Sequence, residues 1–229
     1  MAKVVILSGA GLSAESGIRT FREGDGLWEE YNVMEVCSTQ GFRNDRQKVL
    51  SFYDMRRADI EYKEPNAAHK MIARIKDKFP HDIAVITQNV DDMLERAGCK
   101  DIIHLHGTLT DLRCEDCDHV FAIGYDSQKG SICPACESEN VRHNVVMFGE
   151  SAPMYEILTR EINDAELLVV IGTSGHVIDT AYYAKVVGNA VLNNIDVDAY
   201  HDAAFGTKFY EPATKTASKI EAIIEEFLQ

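Results

Sequence analysis

Lys3-Val4-Val5-Ile6-Leu7-Ser8 runs straight into Gly9-Ala10-Gly11. A β-rich apolar run without polar alternation suits a parallel strand buried on both faces, and the glycines permit an abrupt turn into a helix. Such a junction brings backbone amides and a helix N-terminus to where they can meet a pyrophosphate. The usual dinucleotide fingerprint asks for a further glycine where Ala14 stands, which disfavours a plain dehydrogenase. Taken alone, the glycines serve equally well as a tight turn.

The strand pattern recurs at residues 83–87, 102–105, 167–171 and 190–195. Helical periods lie between: 67–78, with Asn66 as cap just after Pro65; 90–97, ending at Gly98; 154–165; 180–187, before Gly188; and 218–228. Strands alternating with helices predict a doubly wound α/β fold built on a Rossmann-like parallel sheet. Residues 25–64 and 111–143 break the alternation and are expected to form a smaller helical and metal-binding domain. That leaves 1–24, 65–110 and 144–229 as the nucleotide-binding domain, with the ligand in the cleft between the two.

The 229 residues suffice for one large domain carrying an insertion, and 45% hydrophobic with 26% charged residues is ordinary globular usage. A net charge of −14 repels phosphate backbones and anionic lipid, so neither nucleic acid nor a membrane is an expected partner. A basic protein tail fits better, although solubility alone explains the acidity. The first residues are too short an apolar run for a membrane span and lack signal-peptide flanks, so the chain is expected in the cytoplasm. In that reducing compartment six cysteines are not expected to form a disulfide framework, and the four at paired spacing call for metal instead.

Cys114-Glu-Asp-Cys117 and Cys133-Pro-Ala-Cys136 stand fifteen residues apart, a spacing at which two turns can present four thiolates to one zinc ion. Four sulfur ligands leave no open position for substrate, so the zinc is expected to be structural. A nucleic-acid-binding zinc ribbon is opposed by Glu115, Asp116 and Asp118 around the first pair. Cys37 and Cys99 lack partners at ligand spacing and read as packing residues.

Gly9-Ala10-Gly11-Leu12-Ser13-Ala14-Glu15-Ser16-Gly17-Ile18 followed by Phe21-Arg22 resembles the opening motif of the sirtuins. Thr87-Gln88-Asn89-Val90-Asp91, Leu105-His106-Gly107, Val146-Met147-Phe148-Gly149-Glu150 and Gly172-Thr173-Ser174 follow in that family's order, with both cysteine pairs between the second and third of these blocks. The resemblance spans about Val5 to Gly206, and the ordered set carries a specificity that no single block has.

It implies an NAD-consuming protein-lysine deacylase. By resemblance, Gly9, Ala10, Gly11, Arg22, Gln88, Asn89, Asp91, Gly172, Thr173, Ser174 and Asn194 contact the NAD co-substrate, Asn89 and Asp91 line its nicotinamide subsite, and an adenine contact falls near Lys208 to Tyr210. His106 is implied as catalytic base, in keeping with an imidazole that titrates near neutrality. On spacing alone His104 and His106 share one face of the predicted strand, and a histidine near a strand end is more often a packed, hydrogen-bonded residue.

The resemblance implies an acylated-lysine protein or peptide as partner, bound as an added strand between Phe148-Gly149-Glu150 and the loop from Gly175 to Ile178. His176 and Asp179 depart from the small, apolar and proline residues usual there. Tyr53 and Arg56, in Phe52-Tyr53-Asp54-Met55-Arg56-Arg57, can point from one helix face and resemble the acid-acyl branch, whose tyrosine and arginine take the carboxylate of succinyl- or malonyl-lysine. Ile18-Arg19-Thr20-Phe21-Arg22 and Gly26-Leu27-Trp28 look like bacterial members of that branch. Such a pocket need not exclude acetyl. Mono-ADP-ribosyl transfer and a non-catalytic NAD-sensing module stay open as alternatives, and a monomer is expected.

Overall fold

The computed structural model describes residues 3–20 and 32–229; Phe21, Arg22 and Gly26-Leu27-Trp28 lie outside the described residues. A six-stranded sheet carries the strands β1 (Val4–Ser8), β2 (Ile83–Thr87), β3 (Ile102–His104), β7 (Leu167–Ile171), β8 (Ala190–Asn194) and β9 (Thr207–Tyr210). They lie in the order β3-β2-β1-β7-β8-β9, every pair parallel. Counted within this sheet alone, that is the 3-2-1-4-5-6 order of a doubly wound fold.

Alternate residues of each strand point to opposite faces, so apolar runs bury both. Val4, Ile6, Val85 and Val169 pack with Met71 and Ile72 of α5 (Ala67–Lys78) and Ile220 and Ile224 of α10 (Ala213–Leu228). Val5, Leu7, Ile86 and Val170 pack on the other face with Leu158 and Ile162 of α7 (Met154–Asp164) and Ala184 of α8 (Thr180–Val187). Each such side chain removed from water contributes roughly 1.5–3 kcal/mol.

A second sheet, antiparallel and ordered β5-β4-β6, consists of β4 (Gly107–Cys114), β5 (Val120–Ala122) and β6 (Val141–Val145). Against it packs α4 (Arg46–Glu61), preceded by α2 (Val33–Val36) and α3 (Thr39–Asn44). Asn32, Ser38 and Asp45 cap these three helices in turn, each side chain accepting an early backbone N–H.

Several expected boundaries move. Residues 102–105 shrink to β3, because only a single further bond, from Leu105 N–H to the Thr87 carbonyl, continues the ladder. Residues 90–97 condense into the single turn α6 (Met93–Arg96), started where the Asp91 carboxylate accepts the Met93 N–H. Helix α10 begins at Ala213 rather than residue 218. Its first turn is capped by Glu15, whose carboxylate accepts from the Thr214 N–H and hydroxyl at 2.9 and 2.6 Å. Among the described residues no helix is long and apolar enough to cross a membrane.

Candidate active site

The order of strands reverses between β1 and β7, and ligands of such sheets bind beyond the carboxyl ends of the strands at that point. Here the first glycine turn and Gly172 press together. Gly172 has φ +66°, and a Cβ on it would lie 2.4 Å from the Leu12 nitrogen, while one on Gly11 would lie 2.7 Å from the Gly172 Cα. The amides of Gly9 and Gly11 donate to the carbonyls of Ile171 and Gly172, so two of the three expected phosphate-facing amides are spent inside the fold. Beside them opens a cavity of about 330 Å³ lined by Ala14, Ile18, Gly172, Asn194 and the segment 211–213, just past the expected adenine contact.

Polar side chains knit this edge together. Gln88 donates to the Thr173 hydroxyl at 3.1 Å, and Asn194 donates to the Thr173 carbonyl at 3.2 Å. Asn89 donates to the Ser13 hydroxyl at 3.1 Å, and the Ser13 hydroxyl lies 3.2 Å from Nε2 of the fully buried His69. His69 Nδ1 accepts the Asn66 N–H in a capping box, and burial pushes its pKa down to about 4. Burial drives the Asp91 carboxyl upward, against hydrogen bonds from the Met93 amide and Ser13 that lower it. Ser174 stays exposed. The cap motif foretold Asn66, but no sequence signal singled out Ser13 or His69 for this edge.

His104 and His106 separate here, because His106 lies beyond the end of β3. His104 places Nδ1 2.9 Å from the Asn89 carbonyl and Nε2 2.7 Å from Glu95. Two acceptors favour the doubly protonated ring; burial opposes this, but the Glu95 carboxylate prevails and its pKa rises. His106 places Nδ1 2.9 Å from the Gln88 carbonyl and Nε2 2.8 Å from the Tyr155 hydroxyl. Burial lowers its pKa, so His106 is a neutral ring whose proton sits on Nδ1 and whose lone pair sits on Nε2.

On α4, Tyr53 and Arg56 are 7% and 6% exposed. Burial raises the Cys37 thiol while Tyr53 and Arg56 lower it, so both side chains lie near it. Burial raises the Tyr53 hydroxyl well above its usual range, keeping it a donor, and depresses the Arg56 guanidinium. Among the described residues Arg56 meets the Arg19 carbonyl at 3.4 Å and Asp59 at 4.0 Å. Ile18, Val36 and Met147 complete an apolar surround.

The two expected peptide loops are held from behind. The Glu150 carboxylate accepts from the Met147 N–H at 2.8 Å and pairs with Arg142 at 2.6 Å, so it is committed to shaping its own turn. Phe148 pairs by backbone with Cys37 and Thr39 while its ring is 45% exposed, and Gly149 takes φ +91°. Behind Gly175 stands His201, which a Cβ there would approach to 2.5 Å. His201 bonds Thr180 at 2.7 Å and Asp202 at 3.0 Å, and Tyr210 donates to Asp202 at 2.9 Å. His176 is exposed, and Asp179 caps α8.

At the tip of the small sheet the four expected thiols converge. Cys114 and Cys136 lie 3.6 Å apart, as do Cys117 and Cys133, and all four sulfurs lie within 4.8 Å of one another. Zinc with ligands at ~2.3 Å demands edges of ~3.8 Å, whereas a disulfide demands ~2.05 Å, so the cage fits a metal. The two turns repeat one geometry: Asp118 and Glu137, both at φ +60°, donate their N–H to the carbonyls of Cys114 and Cys133. Cys37 and Cys99 are buried apart from this cage.

These features and the sequence agree: the chain belongs to the Sir2 family, the sirtuins, whose profile matches residues 9–179. A curated relative, the NAD-dependent protein deacylase of Campylobacter jejuni (strain RM1221), is 49% identical over 100% of this chain and 98% of its own. A mutant Sir2 homologue in complex with ADP-ribose superposes with a TM-score of 0.87 at 33% identity, covering 98% of this chain and 92% of the other. A mutant Sir2 with a deacetylated p53 peptide and 3'-O-acetyl-ADP-ribose gives 0.81 at 27% identity, covering 96% and 92%.

Proposed function

We propose that this sirtuin is an NAD-dependent protein-lysine deacylase that removes succinyl and malonyl groups, and acetyl groups as well, releasing nicotinamide and O-acyl-ADP-ribose. The observation that carries the deacylase reading is His106, held neutral with its Nε2 lone pair at the carboxyl edge of the sheet. In the reaction the acyl-lysine amide oxygen attacks the ribose carbon bearing nicotinamide. His106 Nε2 then takes a proton from a ribose hydroxyl as that oxygen attacks the imidate, and water completes release of the amine.

Residues Gly9, Ala10, Gly11, Gln88, Asn89, Asp91, Gly172, Thr173, Ser174 and Asn194, with Arg22, bind the co-substrate; the relatives' NAD dependence and the ADP-ribose complex support this. The peptide enters as a strand between the loops at Phe148 and Gly175. Cys114, Cys117, Cys133 and Cys136 hold zinc, which builds the small sheet and performs no chemistry. With four cysteines assigned to zinc and Cys37 and Cys99 buried apart, we expect a reducing, cytoplasmic setting and a monomer.

Acid-acyl selectivity rests on Arg56, a buried guanidinium whose contacts among the described residues, the Arg19 carbonyl at 3.4 Å and Asp59 at 4.0 Å, are long. The test is release of free-lysine peptide from matched succinyl- and acetyl-lysine substrates, with and without NAD. His106→Ala abolishes both reactions while the fold persists. Arg56→Met lowers kcat/KM for succinyl-lysine by about 10- to 100-fold, the worth of a charge-assisted bond, and leaves acetyl-lysine within about threefold. Equal losses on both substrates would assign Arg56 to packing alone, and no NAD-dependent release by the unaltered protein would end the deacylase reading.

A further inference from the structure

Tyr155 is the second residue of α7, just past the loop that ends at Glu150. Its ring packs at the edge of the apolar cluster formed by Leu7, Leu105 and Leu158, and its hydroxyl reaches His106 Nε2 at 2.8 Å. The Gln88 carbonyl can only accept a hydrogen bond, which fixes the His106 proton on Nδ1 and leaves Nε2 to accept one. Burial raises the Tyr155 hydroxyl above its usual range, so it stays protonated and donates. The two rings meet at a tilt, with centroids 5.9 Å apart.

We propose that Tyr155 is a positioning residue that caps the base nitrogen of His106 in the free protein and must yield that nitrogen to the ribose hydroxyl. The inference rests on His106 being the base. A lone pair accepts one strong hydrogen bond, so the tyrosine and ribose hydroxyls compete for it. The cap serves two ends: with Gln88 it fixes the ring plane, and it keeps the reactive nitrogen from solvent until the co-substrate displaces it. Tyr155 is only partly buried, so the displaced hydroxyl can turn to water.

The test is a double-mutant cycle of ADP-ribose affinity by titration calorimetry on the full chain: unaltered, Tyr155→Phe, His106→Ala and both together. Tyr155→Phe keeps the ring and removes only the donor, so melting stays unchanged and ADP-ribose binds about two- to tenfold tighter, the worth of one neutral bond. On the His106→Ala background the same substitution changes affinity by less than about twofold, because the competition is gone. Unchanged or weaker binding by Tyr155→Phe would overturn the cap, as would tightening that persists without His106, which would assign Tyr155 to packing. Failure of the unaltered protein to bind ADP-ribose would remove the reading of His106 beneath it, an outcome distinct from the other two.

Discussion

Two histidines two residues apart shift their pKa in opposite directions: both are desolvated by burial, and the partners of their ring nitrogens decide the outcome. His104 gives both nitrogens to acceptors and leans to the cation; His106 gives one to a carbonyl and keeps a lone pair. As the proposed base, His106 works only when deprotonated, and burial holds its folded pKa below the ordinary imidazole value of ~6.5. Hence kcat/KM is full at neutral pH and falls on acidification with a limb below ~6.5. A limb at or above that value, followed in steady-state assays from pH 5 to 8, would contradict a desolvated His106. His69 adds a stability contribution of the same sign. Its pKa falls from ~6.5 unfolded to about 4 folded, so the unfolded chain binds the extra proton between these values. That contribution is complete above ~6.5 and is lost as pH falls toward 4, at ~1.4 kcal/mol for each pH unit crossed. Melting curves of His69→Gln should therefore fall less steeply over that window than those of the unaltered chain.

Helix α4 carries the residues proposed for acyl selectivity on one face and anchorage on another. Tyr53 and Arg56 face Cys37, while Asp54 accepts from His143 at 2.9 Å, from Ser127 at 2.6 Å and from the Gln128 N–H at 3.0 Å, and Arg57 donates to the carbonyls of Leu109 and Asp126. A second path leaves the zinc turn: Glu115 pairs with Arg46 at the start of α4 and lies 3.8 Å from Arg142, which holds Glu150 beneath Phe148. Arg142 is buried and Glu150 only partly so, and breaking their pair loosens the loop at Phe148 proposed to take the peptide. Arg142→Met should therefore raise the peptide KM on the order of tenfold while zinc content and ADP-ribose affinity hold. A peptide KM that stays put would show that the loop needs no such prop. The paired cysteines and capped α5 were legible in the sequence, because ligand spacing and helix caps are local. The paths through Asp54 and Arg142, the Glu15 cap on α10 and the weakly patterned β9 join residues far apart in the chain, and no local pattern encodes them.

Across the whole molecule, stability is divided unequally between the two sheets. The six-stranded sheet buries two large apolar clusters, and the small sheet shares a third with α4 through Leu109 and Val145, but its cysteine-bearing end buries only Leu112, Cys114, Cys133 and Val141, with Phe121 and Ile123 at the margin. A core that small cannot offset the chain entropy it orders, so its cohesion must come from the metal, whose binding free energy is then folding free energy at ~10–16 kcal/mol for structural zinc. The residues proposed to bind the co-substrate lie at the edge of the large sheet, while Tyr53, Arg56 and Glu150 lean on the small one. Cys133→Ser should therefore act selectively: zinc content measured by atomic emission falls to background and deacylation of any acyl peptide stops. ADP-ribose binding survives within about tenfold, because the β1–β7 edge is built without the small sheet and a tenfold change is only ~1.4 kcal/mol. Deacylation and melting that ignore the substitution would show the thiols to be dispensable. Loss of ADP-ribose binding together with the peptide reaction would show that the two sheets fold as one cooperative unit and that zinc supports the whole chain.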